Sequence, residues 1–214
     1  MKKIITVFVV ALFTSQLVRA QTTYLSNLDQ NSAYSLAVGS DSWLAAGFST
    51  GNNISGYNLD SIQLGITNAS GNPNGFTTML FRSSTGGVSP GNSIGTLDGS
   101  LSPVSGGTYT YMPVSNMTLL PNDLYFIVLT AGTTIANGAY NWNVSVDNSY
   151  NPNGGWFAGG GLWTSSNGSQ WTQVSATYLQ YAINATAVPE PSSEILLGFG
   201  SLIFLWQRRK AKAV

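Results

Sequence analysis

Apolar and polar residues alternate with a period of two through much of the middle of this chain. Tyr140, Trp142, Val144 and Val146 alternate with Asn141, Asn143 and Ser145, as on a strand with one buried face. Ile62, Leu64 and Ile66 alternate in the same way with Ser61, Gln63 and Gly65. Leu124–Leu129 is apolar throughout, which predicts a central strand covered on both faces. Shorter β-branched and aromatic runs at Tyr24–Leu28, Trp43–Phe48, Met79–Phe81, Ile94–Leu97, Tyr109–Tyr111 and Leu179–Ile183 predict further strands. Turn clusters separate them: Asn72-Pro73-Asn74-Gly75, Gly86-Gly87, Gly106-Gly107 and Asn151-Pro152-Asn153-Gly154-Gly155. About ten short strands without a convincing helix predict an all-β fold, an antiparallel two-sheet sandwich of jelly-roll type.

Both ends depart from that pattern. Met1–Ala20 carries Lys2 and Lys3, an apolar run Ile4–Phe13, and Val18-Arg19-Ala20 before Gln21. This is the layout of a secretory signal peptide, cut by signal peptidase between Ala20 and Gln21. The apolar run is too short to remain as a membrane span. At the other end, Pro189-Glu190-Pro191 precedes the run Ile195–Trp206, whose apolar side chains are Ile195, Leu196, Leu197, Phe199, Leu202, Ile203, Phe204, Leu205 and Trp206. A helix of that length spans roughly 18 Å, against a hydrocarbon core of about 30 Å. It is long enough for a transient membrane stop and short for a lasting anchor. Arg208, Arg209, Lys210 and Lys212 follow and should stay on the cytoplasmic side. The prolines fix φ and hold their tripeptide extended. The chain therefore divides into 1–20, an exported body 21–187, and a tail 188–214.

Charge sharpens the picture of the body. Arg82 is its one cation, against Asp29, Asp41, Asp60, Asp98, Asp123 and Asp147, a net charge near −5. No lysine is left to neutralise phosphates, so nucleic acid is excluded as a partner. The chain has no cysteine, so the core must hold an exported domain without disulfides. Histidine is absent as well, which removes nucleophilic triads and ordinary zinc or copper sites. A glycosidase would need two of six scattered aspartates. The body is expected not to be an enzyme, and no cofactor is expected.

The order of Pro189-Glu190-Pro191, a short apolar segment and a basic end resembles the PEP-CTERM sorting signal of Gram-negative bacteria. The resemblance implies recognition by an exosortase, removal of the tail near Pro189–Pro191, and a place at the cell surface or in the extracellular polysaccharide of a biofilm. The body is similar to the choice-anchor R family. The residues that carry this are Asn27-Leu28, Gly47-Phe48-Ser49-Thr50-Gly51, Gly56–Leu64, Pro90-Gly91 before Ile94–Leu97, Leu119–Val128 and Trp163–Trp171. That similarity spans roughly Tyr24–Ala182 and implies an extracellular β domain with no catalytic residues.

Three further features invite a binding role. Trp156, Trp163 and Trp171 stand among glycines and polar residues, with Phe157 beside the first. Exposed rings there would stack on sugars, whereas buried ones would be core. Asp147–Asn153 offers oxygen ligands of the kind Ca²⁺ accepts. Pro152 stands where a helix-loop-helix calcium site needs glycine, and an Asx-rich turn explains the segment as well. Arg82 reads first as an ion-pair partner or a solvated cation, and second as a group that holds a sugar or carboxylate. Two functions follow as expectations: a non-enzymatic surface or matrix protein, and a carbohydrate-binding module built on the late tryptophans.

Overall fold

The computed structural model describes residues 21–190 apart from 148, 175 and 176. Residues 1–20, where a signal peptide is expected, and the tail from Pro191 onward, with its apolar run and its cations, lie outside the described residues. Thirteen strands run in chain order: β1 (Thr22–Ser26), β2 (Ser32–Val38), β3 (Trp43–Ser49), β4 (Tyr57–Gly71), β5 (Thr77–Ser83), β6 (Pro90–Asp98), β7 (Gly107–Pro113), β8 (Thr118–Leu119), β9 (Leu124–Thr130), β10 (Gly138–Ser145), β11 (Phe157–Ser165), β12 (Thr172–Val174) and β13 (Tyr181–Ala187). The described chain is all-β and antiparallel, one curled sheet in the manner of a half-barrel. Its main path runs β1-β13-β4-β7-β6-β5-β9-β3-β11-β12.

β4 organises one half. Its first residues pair with β13, Tyr57 opposite Ala187 and Leu64 opposite Tyr181, and its last residues pair with β10, which carries β2 on its far edge. The other edge of β4 takes β8 and β7. The period-two pattern changes phase inside this strand. Tyr57 and Leu59 are buried, then Ile62, Leu64 and Ile66. Asp60 is the extra residue between Leu59↔Ala185 and Ser61↔Asn184, and such a bulge turns the following side chains onto the opposite face. The second half is built on β9, buried along nearly its whole length between β3 and β5. The halves join where Leu97 and Asp98 of β6 meet Pro113 and Met112 of β7.

The concave face holds the main core, which takes side chains from both halves. Trp156 lies nearly parallel to Phe48 of β3, ring centres 5.7 Å apart, and stacks on Tyr24 of β1 at 4.8 Å, with Tyr57 of β4 edge-on at 5.0 Å. The Tyr181 hydroxyl donates to the Gly47 carbonyl at 3.0 Å, a polar tie from β13 to β3. Asn27 is fully buried, and both polar atoms of its side chain are paired. Its amide donates to Leu179 O and its carbonyl accepts from Tyr181 N–H. A polar side chain is tolerated in such a place because every group finds a partner.

Candidate functional site

The body hands over to its tail at the end of β13. Ala187 is the last residue paired with β4. Beyond it the loop 52–56 takes over as partner. Val188 N–H donates to Gly56 O at 3.0 Å, and the Asn53 side-chain amide donates to both Gly56 O and Val188 O, the latter at 3.0 Å. Ile54 N–H donates to Glu190 Oε1 at 3.3 Å. Asn53 is itself held, since its N–H donates to the Tyr57 hydroxyl at 3.2 Å and its carbonyl accepts from Gly56 N–H at 2.8 Å. Gly56 must be glycine: its φ is +78°, and a β-carbon there would strike the Leu119 carbonyl oxygen. Of Pro189-Glu190-Pro191, the first two residues are exposed, and Pro191 lies outside the described residues.

The three tryptophans do not form one platform. Trp156 is 1% exposed and belongs to the core. The burial that excludes solvent from it also excludes a sugar ring. Trp163 and Trp171 sit on the opposite, convex face of the β5-β9-β3-β11 sheet, in a second apolar cluster with Ala45, Phe81, Phe126 and Val128. Trp163 is 9% exposed and edge-on to Phe126. Trp171 is half-buried and edge-on to Phe81. Trp43 joins this cluster, its indole N–H donating to Ser40 O at 3.0 Å.

Arg82 pairs with Asp123 at 2.6 Å, so the one cation of the body is engaged as an ion pair. The segment after β10 forms an Asx turn, Ser149 N–H donating to Asp147 Oδ1 at 2.8 Å. It then runs along β1, Asn151 N–H donating to Ser26 O and Asn153 N–H to Tyr24 O, each at 2.8 Å. The segment thereby covers an otherwise open sheet edge. Among the described residues no group of three or more carboxylates could hold a metal ion.

Two hollows remain. A small cavity of about 40 Å³ borders Gly47, Gly159, Tyr150 and Tyr181, room for a few waters and no metabolite. Burial raises the pKa of both tyrosines. A shallow depression of about 540 Å³ lies over the Asp60 bulge, lined by Gln21, Met112, Asn116 and Thr186 among others. Gln21, the residue expected to begin the mature chain, donates from its side-chain amide to Ser61 Oγ at 3.2 Å, and Thr186 donates to Asp60 at 2.8 Å.

No protein-family model and no curated protein matches this chain. Asn53 and Trp43 carry no signal of their own in the sequence. Asn53 lies in a stretch rich in turn-forming residues, and only its partner Val188, 135 residues on, gives it a role.

Proposed function

We propose that this chain is an exported, non-enzymatic protein of the cell surface or extracellular polysaccharide matrix. An exosortase removes its tail after a transient stop of the short apolar segment in the inner membrane. The observation that carries the reading is the three-part tail: Pro189-Glu190-Pro191, an apolar run too short to span a bilayer comfortably, and four terminal cations. Two features of the body support it. β13 ends at Ala187, and the motif follows after a single residue, with Pro189 and Glu190 exposed on the surface of the body. The body also buries an aromatic core that holds without a disulfide, so the absence of cysteine is compatible with the reading. We further read the curled sheet as a jelly-roll-like sandwich, since Trp156 and the Tyr181–Gly47 bond join strands from its two halves.

The test is mass spectrometry of the mature protein from the producing cells. A chain beginning at Gln21 and ending near Pro189–Pro191 is the expected product. A chain still ending at Val214 would refute tail processing.

A second reading, binding of a neutral saccharide, has one observation in its favour. Trp43 and Trp171 keep part of their rings open on the convex face, where a pyranose could lie against them. A glycan array on the exported protein separates a lectin from a scaffold.

A further inference from the structure

We propose that the loop 52–56 is a latch that holds the chain through Glu190 and sets the point at which trimming of the C-terminal tail stops. The proposal rests on the reading that the tail is removed, and it adds what limits the removal. Beyond Ala187 the chain has no β4 partner, yet it does not leave the body there. Val188 is tied through both its N–H and its carbonyl, to Gly56 and Asn53, and Glu190 through its carboxylate to Ile54 N–H. Pro189 between them has no N–H to satisfy. The latch is anchored in the core, because Asn53 hangs on the hydroxyl of Tyr57, whose ring packs edge-on against Trp156.

Proteases and transpeptidases bind their substrate as an extended strand through main-chain hydrogen bonds. Val188 already spends its main-chain groups on the loop, and Glu190 its side chain. An enzyme that draws the tail into its cleft as a strand is therefore blocked at Val188, and at Glu190 it must first prise the carboxylate from Ile54. The side chain of Ile54 is 76% exposed, so this is also the place where such an enzyme would touch the body.

The experiment treats the full-length chain with proteinase K and measures the surviving core by mass spectrometry, with amide hydrogen exchange read at Val188 and Ile54. The wild-type core is expected to end at Glu190 or beyond. In Asn53→Ala the end should retreat by about three residues, toward Ala187, and Val188 should exchange at least about tenfold faster. Glu190→Ala should speed exchange at Ile54 alone and leave Val188 protected; this variant carries the test if Asn53→Ala fails to fold. A wild-type core ending at or before Ala187 overturns the latch, as do unchanged exchange and an unchanged end in both variants. Tail removal in the producing cells is scored separately. If the tail is never removed while the protease limit moves as stated, the latch stands and the sorting reading falls. If the tail is removed at the same bond and rate in Asn53→Ala, the sorting reading stands and the latch falls.

Discussion

Trp156 and Trp171 lie 15 positions apart in the chain and on opposite faces of the sheet. Trp156 fills the concave side between Phe48 and Tyr24, and its indole nitrogen has no hydrogen-bond partner there. Its contribution is therefore packing alone. Trp156→Ala should cost about 3–5 kcal/mol, the usual range for emptying a buried aromatic site. Trp171 covers the convex cluster and keeps part of its ring in water, so Trp171→Ala should cost about 1 kcal/mol, in keeping with its partial burial. Urea unfolding of the two variants checks the contrast. Equal losses would mean that the convex cluster is as much a core as the concave one.

At the scale of the element, β11 takes its form from its neighbour β3. Five of its residues, Ala158 to Leu162, lie against only three of β3, Phe48 to Ala46. The extra length is taken up by glycines and pushes the Gly159 carbonyl against Gly47, where a β-carbon would collide with it. Gly47→Ala should therefore destabilise by about 1–3 kcal/mol, as overpacking does, and it should loosen the Tyr181 bond to the Gly47 carbonyl. Gly106→Ala is the control. Its φ lies outside the left-handed region, and an added carbon makes only ordinary van der Waals contact, the nearest at 3.5 Å to Asn68 Oδ1. Thermal denaturation should show a lowered midpoint for the first and almost none for the second.

For the whole molecule, the buried tyrosines govern the response to alkali. Burial raises the pKa of Tyr111, Tyr125, Tyr150 and Tyr181 above the ordinary value of 10.0. Their folded-state pKa exceeds the unfolded one, so the stabilisation is fully present below pH 10 and is lost as pH rises toward the folded value. In that window the unfolded chain binds fewer protons than the folded one. Each tyrosine then takes away about 1.4 kcal/mol per pH unit. With no histidine in the chain, none of the loss begins near neutrality. Urea midpoints should be level from about pH 7 to 9 and fall steeply above 10. A level midpoint at pH 11 would show that these hydroxyls are not shielded.

Side-chain direction and β propensity on a strand are local matters, which is why alternation and short β-branched or aromatic runs between turns are enough to place strands from Tyr24 in β1 to Ile183 in β13. The unbroken run Leu124–Leu129 likewise announced a strand covered on both faces. The export reading of the two ends needed only length, hydropathy and the place of seven of the eight cations. Ser32–Val38 was not legible, because its serines and alanines carry little pattern until β10 pairs with them. The glycine run of β11 reads as loop, and only hydrogen bonds to β3 make it a strand. The phase change at Asp60, the burial of Trp156 and the grip of Asn53 on Val188 depend on partners far away in sequence. Periodicity along the chain tells which way a residue faces; what it meets there is set by how the sheet curls.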